Sequence, residues 1–108
     1  MNNIQNTIDL LLQYLTKQIG YKIIIDEEYF IEFPDFYYLI YNTEDYLINK
    51  NISNALVGNF PVIIKKTKEE FYTLIYDEDT ISLTFEEVLN LPFEDILKLN
   101  ILQKFDLD

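Results

Sequence analysis

Ile4, Ile8, Leu11, Leu12, Leu15 and Ile19 recur at the spacing of one helical face, which predicts an amphipathic helix over residues 3–19. Asn2 or Asn3 can cap its start and Lys17 suits its last turn. Gly20 supplies the left-handed residue that stops it. The period then shortens. Residues 21–25 are rich in β-branched side chains and predict a strand, followed by an acidic turn at Asp26, Glu27 and Glu28. Tyr29, Ile31 and Phe33 alternate with Phe30 and Glu32, the pattern of a half-buried strand that ends at the turn Pro34-Asp35. Residues 36–41 are apolar on both parities, which predicts a central strand covered on both faces.

Residues 42–59 are polar and rich in Asn, with Tyr46, Leu47, Ile48, Ile52, Leu56 and Val57 scattered among them. They read as a short helix near 44–50 or as an ordered loop. A strand over 60–65 pairs with one over 71–76 across the polar turn at 66–70. A second acidic turn, Asp77-Glu78-Asp79, leads to a short strand over 80–83. Thr84 and Glu87 have capping-box spacing ahead of an apolar run, and Pro92 suits a first helical position. Phe93, Leu97, Ile101 and Phe105 form an i+4 stripe, so a C-terminal helix is expected there. The order predicts one α+β domain over residues 1–108. It has an N-terminal amphipathic helix, an antiparallel sheet of about four to five strands and a C-terminal helix.

Composition narrows the chemistry. Hydrophobic residues make up 49% of the 108, enough for a core and against disorder. The chain has no His and no Cys, which removes His/Cys metal sites, disulfides, thiol nucleophiles and the Ser-His-Asp triad. It has no Arg, so bidentate phosphate or guanine recognition is missing too. Asp77-Glu78-Asp79 resembles the start of a calcium loop but fails the pattern, because Ser82 replaces the required Gly and Val88 the bidentate Glu. Gly20 and Gly58 are the only glycines, so no phosphate-binding loop exists. Neither Ser53 nor Ser82 lies in a nucleophile-elbow setting. A pair of carboxylates could run a hydrolase, but among 19 acids such pairs arise by chance. No metal, no cofactor and no catalytic residue is expected.

Charge is the more informative property. Eight Lys against 19 acids give a net charge of −11, which repels nucleic acid and anionic membranes and attracts basic partners. Asp26, Glu27, Glu28, Glu32, Asp35, Glu44 and Asp45 form one stretch without a Lys. Asp77, Glu78, Asp79, Glu86, Glu87, Glu94 and Asp95 form another. Such stretches either keep a protein soluble or steer a cationic partner. Nine Tyr are interleaved with them, and Tyr serves both cores and interface anchors. The candidate partner-binding residues are therefore Asp26, Glu27, Glu28, Tyr29, Asp35, Asp77, Glu78 and Asp79, with Tyr37 or Tyr41 as apolar anchors. No basic leader or long apolar run marks a secretory signal or membrane span. The cytoplasm is the expected compartment, and the oligomeric state is left open.

Between residues 36 and 76 an aromatic strand (Phe36-Tyr37-Tyr38-Leu39-Ile40-Tyr41) is followed by Tyr46-Leu47 and a polar connection. Then comes Gly58-Asn59-Phe60-Pro61, running into the apolar strand Val62-Ile63-Ile64. This arrangement resembles the immunity protein 35 family of bacterial polymorphic-toxin systems, over about residues 4–90. The chain has Lys66-Thr67-Lys68-Glu69 where that family usually has a Gly turn, and it lacks the Trp common in the family's aromatic strand. The resemblance implies tight, non-catalytic binding to a cognate toxin domain with a basic surface. Gly58, Asn59 and Pro61 need only a structural account: positive φ, a side chain closing the turn, and the first residue of a strand. The alternatives are a phage-encoded acidic mimic of nucleic acid that blocks a host defence or repair enzyme, a carboxylate hydrolase, and a small assembly factor with an exposed apolar patch.

Overall fold

A computed structural model describes residues 4–57, 59–77, 79 and 81–107. Helix α1 (Ile4–Ile19) buries Ile8, Leu11 and Leu15 and ends at Gly20, whose φ of 90° needs a residue without Cβ. The expected capping residues Asn2 and Asn3 lie outside the described residues. Strand β1 (Ile23–Ile25) follows and pairs antiparallel with β4 (Tyr41–Thr43) in a small two-stranded sheet. The main sheet has five antiparallel strands in the order β2 (Ile31–Glu32), β3 (Phe36–Leu39), β5 (Val62–Lys65), β6 (Phe71–Leu74) and β7 (Leu102–Phe105). The α+β class and the expected strand count both hold. So does the pairing of β5 with β6.

Two apolar layers explain why the middle strands are apolar on both parities. Tyr38, Ile63 and Tyr72 lie opposite one another across β3, β5 and β6 and face one layer. That layer is closed by Val88 and Leu89 of α3 (Phe85–Leu89) and by Phe93 and Ile96 of α4 (Phe93–Lys98). Tyr37, Leu39, Val62 and Ile64 face the other way, onto Ile8, Leu11 and Leu15 of α1 and Ile23 of β1. A strand sandwiched like this must spend both faces on apolar side chains. Among the described residues no helix is long and apolar enough to cross a membrane.

Several local expectations change. The run 36–41 is not one strand: it breaks at Ile40, and its second part leaves the main sheet to pair with β1. Residues 27–29 form a 3-10 turn capped by Asp26, so Tyr29 belongs to that turn and β2 is only two residues long. The short helix near 44–50 exists as α2 (Glu44–Asn49), capped by the Thr43 hydroxyl. The short strand expected at 80–83 is absent among its described residues, Ile81 to Leu83. Thr84 and Glu87 do form the reciprocal capping box, and Pro92 stands one position earlier than expected, at the N-cap of α4.

The largest correction is at the C-terminus. The helix carrying Phe93 and Leu97 stops at Lys98, Asn100 takes a φ of 60°, and residues 102–105 become an edge strand on β6. Asn tolerates the left-handed conformation better than most side chains, so the reversal is inexpensive. Pairing with β6 then satisfies backbone groups that a continued helix would have left on an open edge. The i+4 spacing of Ile101 and Phe105 is served just as well by this layout. Ile101 joins the α3/α4 layer, and Phe105 turns to the α1 layer beside Tyr14 and Phe71.

Candidate partner-binding surface

The register of the sheet brings the two acidic turns to one end. Strand β3 finishes at Leu39, opposite Val62 of β5, and Val62 lies opposite Thr73 of β6. Beyond that row, the Asp26 amide donates to the Ile40 carbonyl at 2.9 Å, which fixes the 26–29 turn at the end of β3. Asp77 leaves β6 from the same end, two strand spacings or about 10 Å across. Each turn is closed by its own carboxylate. Asp26 accepts from the Glu28 amide at 3.3 Å, and Asp77 accepts from the Asp79 amide at 2.9 Å. This is why Asp occupies the first position of both.

Aromatic rings connect the turns on the α3/α4 side. Tyr29 is 50% exposed and stands beside Tyr38. Burial holds the Tyr38 phenol above its ordinary pKa, and its neighbour Tyr29 adds to that. Tyr38 meets the Phe85 ring edge-on at 5.9 Å, and Phe85 meets Tyr76 edge-on at 5.4 Å. The Tyr76 hydroxyl donates to the Leu83 carbonyl at 2.5 Å, pinning the 81–84 segment over the sheet end. A recess of about 320 Å³ opens there, lined by Tyr76, Ile81, Ser82, Leu83, Thr84 and Phe85. Its position next to Asp77 puts an aromatic-walled depression at the foot of an acidic turn, the environment a cationic side chain favours.

Neutralisation is concentrated elsewhere. The ion pairs among the described residues join Lys22 to Glu44, Lys66 to Glu32, Lys98 to Asp95 and Lys104 to Glu70. Asp26, Glu27, Glu28 and Asp79 lie in no such pair among the described residues, so the field at this end is only weakly compensated. Asp45 and Glu70 both have pKa values displaced downward. Three Asn side chains donate to Asp45, and Tyr72 and Lys104 donate to Glu70. Both therefore keep their charge, the opposite of what a general acid requires. Among the described residues no group of three or more acids is placed to hold a metal ion.

Other candidate residues are placed differently. Asp35 lies at the opposite end of the sheet, where its carboxylate accepts from the Phe93 amide at 3.3 Å. Its carbonyl also accepts from the Lys66 amide at 3.0 Å. Pro92 has no side-chain oxygen with which to cap α4, and Asp35 does it from 58 residues away. Tyr37 is corrected outright: it is 4% exposed, packed on the α1 layer and stacked on Phe30, so it cannot anchor a partner. Tyr41 is half-buried, with burial raising its phenol pKa, and its carbonyl accepts the Asn59 side-chain amide at 2.9 Å. That bond ties the Asn59 segment to β4, 18 residues earlier in the chain. Pro61 stands just ahead of β5 and accepts from the Leu74 amide through its carbonyl. Gly58 and Glu78 lie outside the described residues.

Tyr76 and Phe85 were not among the candidates. The signal available was the Thr84 capping box, which makes Phe85 the first residue of a helix and so ties its ring to a strand end. Comparisons of the chain with protein-family models, with curated proteins and with solved structures found no match.

Proposed function

We propose that this chain is a non-catalytic cytoplasmic inhibitor that binds a cationic protein, in the immunity reading a cognate toxin domain, through the sheet end bearing the 26–29 and 77–79 turns. One observation carries it. Two acidic turns far apart in sequence lie at the same end of the sheet, beside exposed Tyr29 and the Tyr76–Phe85 recess, while the ion-paired acids Glu32, Glu44, Glu70 and Asp95 lie outside those two turns. A basic substrate groove on the partner would be drawn to this end, and the aromatic side chains would then supply desolvated contact.

The test is affinity capture of the tagged chain from its native cells, read by mass spectrometry at low and high salt. Recovery of one toxin domain, retained at high salt and lost from a Glu27→Lys, Glu28→Lys, Asp79→Lys variant, supports the proposal. The triple reversal changes the local charge by six and should slow association by about tenfold or more at low salt. Recovery of a host nucleic-acid enzyme that dissociates steeply with salt would replace the immunity reading with nucleic-acid mimicry. Retention of the partner by the triple variant would refute the assigned surface.

A further inference from the structure

The two edges of the main sheet are finished differently. At one edge β2 is only two residues long and stops just ahead of the Pro34-Asp35 turn, which leaves little to pair with. At the other, β7 runs for four residues without a Pro and, among the described residues, pairs with β6 alone. The register says which of its backbone groups are open. The Ile75 amide donates to the Ile101 carbonyl at 2.7 Å, so that opposed pair is a hydrogen-bonded one. Bonded and non-bonded pairs alternate along an antiparallel ladder, so Gln103 and Phe105 turn their N–H and C=O groups to Thr73 and Phe71 of β6. Leu102 and Lys104 turn theirs outward, and no hydrogen bond among the described residues meets them. Asp106 holds the next position in that alternation, one residue past the strand.

The side chains on this edge identify its occupant. A lone Lys on an edge strand repels a second copy of itself, which is one way such edges are kept unpaired. Here Asp106 stands two residues beyond Lys104, on the same side of the alternation. In a two-fold pairing residue i meets residue j and j meets i. An axis at Lys104 would oppose the two ammonium groups, and an axis at Gln103 would set Lys104 against apolar Leu102. An axis at Phe105 sets Lys104 against Asp106 of the second copy twice over. It also brings the two Phe105 rings together in a non-bonded pair, where side chains lie closest. Both side chains are already ordered for this. Lys104 is held by Glu70 at 3.1 Å, and Phe105 packs on Tyr14 and Phe71 at 6.1 and 5.8 Å. We propose that β7 pairs antiparallel with β7 of a second copy about a two-fold axis at Phe105, which joins two five-stranded sheets into one. A single strand offers less than the roughly 800 Å² per partner of a standard interface, so the dimer is expected at about 10–100 μM.

Sedimentation equilibrium of the full chain tests this between about 1 and 500 μM, a range set by that affinity. The expected result is a mass that rises from about 13 kDa towards about 26 kDa. Asp106→Lys and Lys104→Asp each turn both cross-strand pairs into like charges and should weaken the dimer about tenfold or more. An equimolar mixture of the two single variants restores opposite charges at both pairs and should dimerise like the parent, which loss of the Lys104–Glu70 bridge alone would not produce. Asp106 is exposed and in no ion pair among the described residues, so Asp106→Lys should keep the parent's circular dichroism spectrum and Tm. Hydrogen exchange of the parent supplies a readout without substitution: the Lys104 and Asp106 amides should gain protection as concentration rises through the dimer range. A parent chain that stays monomeric at the highest concentration overturns the proposal. So does a dimer whose Lys104 and Asp106 amides exchange as freely as in the monomer, or one that the single reversals leave intact. The inference stands apart from the acidic sheet end, and Glu27→Lys with Glu28→Lys should leave the dimer in place; its loss in that variant would move the contact away from β7.

Discussion

Replacing Asp35 with Ala separates a structural role from a partner-binding one at the same residue. The carboxylate accepts from the Phe93 amide at the start of α4, whose own N-cap is Pro92 and offers no side-chain acceptor. Removal of an N-capping acceptor costs about 1 kcal/mol, with a range of about 0.5–2. The 3.3 Å bond is long and Asp35 is exposed, which argues for the lower half of that range. Two features push the other way. A helix of six residues has almost no intrinsic stability, and its first residue is the buried Phe93, packed on Phe36 and Tyr72 at 6.1 and 5.4 Å. The expected loss is therefore about 1 kcal/mol, or about 5 °C in Tm for a domain of this size. Asp35→Asn keeps an acceptor oxygen and should lose less than half as much. Urea unfolding followed by circular dichroism measures both variants, with m unchanged. Affinity for a basic partner should stay at the parent value, since Asp35 stands at the far end of the sheet from the 26–29 turn. Equal losses for Ala and Asn, or no loss for either, would refute the capping argument. A fall in affinity without a fall in stability would restore Asp35 to the interface.

Other expectations follow from the same structure. Phe93→Ala removes a ring with 2% exposure at the centre of the α3/α4 layer and should cost about 3–5 kcal/mol in urea unfolding, a large part of a small domain's stability. Asp45 has its folded pKa held below the ordinary 3.8, so its stabilising contribution is present above that value and disappears as pH falls through the folded pKa. The Tm difference between the parent and Asp45→Asn should accordingly shrink below pH 4 in thermal scans. Tyr72 behaves in the opposite sense. Burial, helped by the bond to Glu70, pushes its pKa up to about 12 from 10.0, so stability should fall as pH rises from 10 towards 12. Tyr72→Phe should flatten that alkaline loss, as read by thermal scans across the same pH range.

Local rules carried much of the architecture. The 3.6-residue stripe from Ile4 to Ile19 with Gly20 behind it, the double-sided apolar run of β3, the pairing of β5 and β6, and the Thr84–Glu87 capping box all act within a few residues of their cause. Each was therefore readable along the chain. The two acidic turns were readable as well, because Asp closes a turn with its own side chain. Tertiary pairing decided the rest. Ile101 and Phe105 satisfy both a helical stripe and a strand whose side chains serve opposite layers, and the open edge of β6 selected the strand. Tyr37 and Tyr29 are the same residue type in similar surroundings along the chain. One faces α1 and the other faces solvent, because the backbone turns at Glu27–Tyr29 before entering the sheet. Asp35 caps a helix 58 residues later, and the 26–29 and 77–79 turns share an end only through the register of three strands. Composition determined that this surface would be acidic. Where the charge gathers, and which tyrosines stand beside it, depended on contacts between residues that are distant in sequence.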